Sequence, residues 1–150
     1  VGQVNCFDST SNNFYITGVQ LEVSDVATDF EHISFGEELA KCQRYWQQSY
    51  TTGTSAGTST NTNTVTWYPD ATYNYSNITF SLPCVMRTQP TVTTYSSTGA
   101  SGKIRNVDGS ADVTSYIDTN SSNCIMIVAN NTSITQGHRI RSHYTASAEL

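Results

Sequence analysis

The residues best suited to bind something are the run Trp67-Tyr68-Pro69-Asp70-Ala71-Thr72-Tyr73-Asn74-Tyr75. Aromatic faces stack on the apolar faces of sugar rings, while Asp70 and Asn74 offer an acceptor and a donor to sugar hydroxyls. Trp67, Tyr68, Asp70, Tyr73, Asn74 and Tyr75 are therefore the candidate glycan contacts. Trp67 and Tyr75 have a plainer reading as core or subunit-interface residues, since amphipathic rings are common at strand ends. Arg139, Arg141 and His143 alternate along one strand, placing them on one face near its start. They offer a site for acidic sugars or phosphate, or, more plainly, partners for Asp112 or Asp118 on neighbouring strands.

Catalytic chemistry finds little support. The chain carries no GxSxG, HExxH, P-loop or GxGxxG pattern. His32, His138 and His143 are its three imidazoles, and they read as surface or interface residues. Glu31, His32, Glu37 and Glu38 gather near a helix start, where the helix dipole accounts for carboxylates without catalysis. Asp108 and Asp112 have the spacing of a calcium-loop fragment, but the twelve-residue pattern and its closing Glu are missing, so a turn is expected. Cys6, Cys42, Cys84 and Cys124 lie far apart with no CxxC pair, which is not zinc spacing. They could form two bridges, but the expectation is free thiols, because a chain of 150 residues does not need staples. No metal, cofactor or enzymatic activity is expected.

The elements that hold these residues follow from composition and pattern. Hydrophobic residues make up 37% and charged residues 13%, about half the usual charged share. Thr, Ser and Asn supply roughly a third of the chain, so polarity comes from hydroxyls and amides. This excludes a coiled coil and favours strands. With net charge −5 and seven Lys and Arg scattered along the sequence, no basic stripe is expected, and nucleic acid is an unsuitable partner. There is no apolar run long enough to span a membrane, and residues 1–15 do not read as a signal peptide.

Phe14–Val23 alternates as a strand with Val19, Leu21 and Val23 inward, and needs partners from elsewhere. Ser34-Phe35-Gly36-Glu37 has the form of a capping box. Phe35, Leu39, Cys42 and Trp46 follow at helical spacing, predicting one amphipathic helix over about 35–48. Residues 51–64, TTGTSAGTSTNTNT, read as a flexible or glycan-facing loop. Strand-like runs then recur at Val65–Tyr68, Ile78–Met86, Thr91–Tyr95, Lys103–Val107, Val113–Ile117, Cys124–Ala129 and Ile140–Ala148, with Pro83 interrupting the second. The pattern is that of an antiparallel sandwich.

The segment Phe14 to Trp46, FYITGVQLEVSDVATDFEHISFGEELAKCQRYW, resembles a module near the C-termini of bacteriophage tail-fibre and appendage proteins, cyanophage-like ones especially. The matching positions are Thr17 to Val23, Ala27 and Thr28, Phe30 to His32, Ser34 to Leu39 and Cys42 to Tyr45. Ile33 and Trp46 depart from the pattern, which often has a basic residue and a Tyr there. The resemblance implies that residues 1–30 carry the closing strand of an upstream jelly-roll domain plus a linker, and that 31–150 form a C-terminal β domain opened by the helix. It also implies a homotrimer, with Phe35, Leu39, Cys42 and Trp46 as candidate interface residues.

The combined expectation is a mainly β, jelly-roll-like antiparallel β-sandwich with one N-terminal amphipathic helix. Its expected role is non-enzymatic: the distal domain of a viral tail fibre on the virion, partnered by its own copies, the upstream fibre and a host-surface glycan or receptor. A purely structural capping domain and a carbohydrate-binding module of a secreted protein are the alternatives.

Overall fold

The computed structural model describes residues 15–70, 75–130 and 134–149, except the side chain of Tyr75. Two compact units divide the chain, Val1–Ser34 and Phe35–Leu150.

In the first unit, residues 15–23 carry no ladder among the described residues. A strand is held by hydrogen bonds to a neighbour, and here the polar side of the segment bonds to its own return link instead. Glu22 accepts from the Thr28 backbone N–H at 2.7 Å and from its hydroxyl at 2.6 Å. Gln20 Oε1 accepts from the Glu31 N–H at 2.8 Å. These bonds, the Thr28 hydroxyl foremost, hold the Glu22 carboxyl below its ordinary pKa. Gln20 and Glu22 point to one side, which leaves Val19, Leu21 and Val23 exposed within this unit.

The second unit contains helix α1 (Phe35–Gln43) and eight strands among the described residues: β1 (Trp46–Gln48), β2 (Val65–Trp67), β3 (Tyr75–Ser81), β4 (Thr91–Tyr95), β5 (Lys103–Asn106), β6 (Ala111–Ser121), β7 (Cys124–Asn130) and β8 (Ile140–Ser147). The helix starts one residue after Ser34, where the capping-box pattern places it, but ends before the predicted 48. Arg44 N–H reaches the Lys41 carbonyl and Tyr45 N–H the Cys42 carbonyl, tightening the last turn. Trp46, Gln47 and Gln48 then pair with Ser147, Ala146 and Thr145. Gln47 fixes the exit, its amide donating to the Gln43 carbonyl at 2.9 Å and the Cys84 carbonyl at 2.6 Å. Ladder pairing thus outcompetes the helical periodicity that Trp46 would continue.

All ladders are antiparallel, and β8 is their hub. Its C-terminal half pairs with β1 and β4, and its N-terminal half with β2 and β5. From β5 the order continues through β6 and β7 to β3. The β6 ladder with β7 has an irregularity between Ile117 and Thr119, a local device for bending a strand. The result is one curled sheet rather than two separately paired sheets. Across the interior, Phe80 of the edge strand β3 packs on Tyr144 of the hub strand β8 at 5.1 Å between rings. The core includes Ile104, Val113, Ile125, Ile127, Ile140 and Met86. As Pro83 foretells, β3 stops at Ser81, since proline cannot donate to the ladder.

Candidate interaction surface

The aromatic run divides. Trp67 ends β2 and is 8% exposed, with its indole N–H donating to Ser76 Oγ of β3 at 3.0 Å. It ties two strands across the core, a burial that suits the plainer reading of Trp67 as a core residue rather than a ring presented to a sugar. Tyr68, at 62% exposed, and Asp70 remain at the surface. The Pro69 carbonyl accepts from Gly137 N–H at 2.9 Å and anchors the turn. Tyr73 and Asn74 lie outside the described residues, and Tyr75 is described only as the first residue of β3, opposite Asn130.

The helix stripe is exposed. No residue of α1 is buried, Phe35 is 79% exposed, and Leu39, Cys42 and Trp46 are also exposed. Leu39, Cys42 and Trp46 line a cavity of about 250 Å³ together with Gln43, Gln47, Gln48, Tyr50, Thr52, Gly53 and Pro83. Val85 adds further exposed apolar surface in the second unit. Cys42, Cys84 and Cys124 are free thiols, as expected, and Cys6 lies outside the described residues. No group of three or more His, Cys, Asp or Glu among the described residues could hold a metal ion.

A cluster that sequence reasoning missed sits on the opposite face of β8 from Tyr144. His143 has no accessible surface. Its Nε2 lies 3.1 Å from the Thr60 carbonyl and must donate, so Nδ1, 2.8 Å from Ser49 Oγ, accepts the serine proton. Tyr50 stacks on the ring at 3.9 Å and 13°, and Tyr95 meets Tyr50 edge-on. Burial pushes the His143 pKa down, opposed by the Thr60 carbonyl. A carbonyl stands where a catalytic triad would have a carboxylate, and Ser49 Oγ also accepts from Tyr144 N–H, so the arrangement serves to hold the 51–64 loop.

That loop is accordingly tied down, contrary to the flexible reading. Thr60 N–H donates to the Ser97 carbonyl at 3.0 Å, and Gly57 N–H to the Tyr50 hydroxyl at 3.1 Å. Gly57 and Gly99 touch backbone to backbone: a Cβ on Gly99 would fall on the Gly57 carbonyl oxygen, and Gly99 has φ +96°. Backbone polar groups, not apolar side chains, fasten this segment, which is why its composition looked unable to pack.

The basic residues are also rearranged by folding. Register places Thr66 of β2 opposite Arg141 of β8, Arg141 opposite Arg105 of β5, and Arg105 opposite Asp112 of β6. Lys103 and Arg139 lie two residues along from Arg105 and Arg141, on the same face. The expectation of no basic grouping is corrected: four of the seven Lys and Arg share one sheet face, because antiparallel pairing joins residues distant in sequence. Arg105 pairs with Asp112 at 3.2 Å, and Arg139 with Asp108 at 3.8 Å. Asp108 thus belongs to the turn expected there, and it also accepts from Arg139 N–H at 2.6 Å. Burial pushes the Asp112 pKa up, but hydrogen bonds from Thr98, Ser96 and Arg105 outweigh it and hold the carboxyl below its usual value.

Compared with known proteins, the chain matches no family model, no curated protein and no solved structure.

Proposed function

We propose that this chain is a non-enzymatic distal domain of a viral tail fibre or appendage, which trimerises through α1 and contacts a host-surface glycan. The observation that carries the reading is the helix itself. Its apolar stripe, Phe35, Leu39 and Cys42, continued by Trp46 of β1, has no cover within the described unit, and a helix of nine residues gains its stability in water mainly by burying such a face. Second and third copies of the same chain supply that burial in a closed, symmetric assembly. The resemblance over Phe14 to Trp46 supports the same reading. Three copies also convert weak glycan contacts into firm attachment.

An envelope-glycan array tests this, using the full chain and a Leu39→Asp variant. Binding by the native chain, reduced on the order of a hundredfold in the variant through lost avidity, is the expected result. Assembled protein that binds no envelope glycan would overturn the recognition role and leave structural capping. That second reading draws on one observation: Trp67, the largest ring of the aromatic run, is spent on the core.

A further inference from the structure

The outer face of β5 and β8 holds an arrangement that stability alone does not favour. Arg105 and Arg141 are directly opposite on adjacent strands, and like charges in that relation repel. Arg105 has Asp112, and Arg139 has Asp108. The Arg141 side chain has no hydrogen-bond or ion-pair partner among the described residues, and its Nε, like that of Arg139, is buried with its hydrogen unmet. A partly buried guanidinium without an acceptor is costly to keep, because it loses hydration and gains nothing in exchange.

We propose that this face is an anion subsite centred on Arg141, flanked by Arg105 and Arg139, which takes the carboxylate or phosphate of an acidic saccharide. The planar guanidinium presents paired N–H donors that match either group, and the bound anion relieves the repulsion between Arg105 and Arg141. Hydroxyls surround the site as a sugar requires: Thr66 stands opposite Arg141, Thr64 is bonded to Thr66 at 3.2 Å, and Thr114 stands opposite Lys103. The balance of charge selects a single anionic group over a polyanion. Four cations meet two carboxylates on this face, while the whole chain carries a net charge of −5. The inference rests on the glycan-binding reading above and narrows its ligand to an acidic sugar.

The test is calorimetric titration of the full chain with glucuronic acid, glucose 6-phosphate, neutral maltotetraose and a short DNA duplex, at low and high salt. The native chain, Arg141→Gln, Arg141→Lys and an Arg87→Gln control, at an exposed cation outside both α1 and this face, are compared. Salt-sensitive binding of an acidic sugar is expected, weakened about tenfold or more by Arg141→Gln, partly restored in Arg141→Lys and unchanged in Arg87→Gln. Which acidic sugar binds distinguishes carboxylate from phosphate. The Arg141→Gln melting temperature is expected at or above that of the native chain, which separates lost binding from lost folding. Equal binding by Arg141→Gln, or tighter binding of DNA than of either acidic sugar, would overturn the proposal. Binding of the neutral tetrasaccharide alone would overturn it and leave the broader glycan reading standing; silence toward every sugar would overturn both.

Discussion

Acidification is expected to destabilise this domain through His143 in a window that its environment defines. The ring has no accessible surface, and its polar partners, the Ser49 hydroxyl and the Thr60 carbonyl, are neutral. Tyr50 and Tyr95 are the titratable side chains stacked around it. Nothing there compensates a positive charge, so burial depresses the folded pKa. The unfolded chain then binds a proton that the folded chain refuses. Stability from this source is fully present above the unfolded value near 6.5 and is lost as pH falls from there toward the folded pKa. With the folded ring neutral throughout, the loss between pH 7.5 and 5.5 approaches a ceiling of about 1.4 kcal/mol. Urea unfolding across that range, for the native chain and His143→Gln, isolates the effect, because the remaining groups titrate in both. The native chain should lose stability relative to the variant as pH falls. A difference between the two that stays constant with pH would show that the buried His143 ring is not the source of the acid sensitivity.

Three further outcomes follow from packing and register. Trp67→Phe should cost about 1–2 kcal/mol in chemical denaturation by removing the indole bond to Ser76, while leaving glycan binding unchanged. Gly99→Ala should destabilise by about 2 kcal/mol and increase proteolytic cutting in 51–64, because it forces a side chain into a left-handed position against Gly57. Arg141→Thr should stabilise by a few tenths of a kcal/mol, seen as a higher urea midpoint, since it ends the opposition to Arg105.

How much of this could be read from the chain depended on the range of the interaction. Thr91–Tyr95 shows the same limits in the sequence pattern and the structure, and the runs at Val65, Lys103, Cys124 and Ile140 begin where β2, β5, β7 and β8 begin. Short β-branched runs bounded by turn residues carry that information locally. The helix start was equally local. Its end was not, because Trp46 leaves the helix to pair with Ser147 at the far end of the chain. The strand expected at 14–23 shows the same limit: alternation specifies a face but supplies no neighbour, and among the described residues Gln20 and Glu22 bond to the link that follows. His143 was placed on the correct face of β8, yet its burial depends on Ser49 and Thr60, whose approach no periodicity records. The arginine face was hidden in the same way, since Arg105 and Arg141 become neighbours only through the β5 and β8 ladder. Trp67 was readable either as ligand contact or as core, and its bond to the Ser76 hydroxyl suits the core reading.

If copies of this chain cover the apolar stripe of α1, as proposed, its mass in solution must show it. Light scattering on the full chain, with and without reductant, is expected to give about three times the 16.4 kDa of one chain in both conditions, since the described cysteines are free thiols. Leu39→Asp should shift that mass toward one chain. A monodisperse monomer of the native chain at every concentration tested would contradict the account.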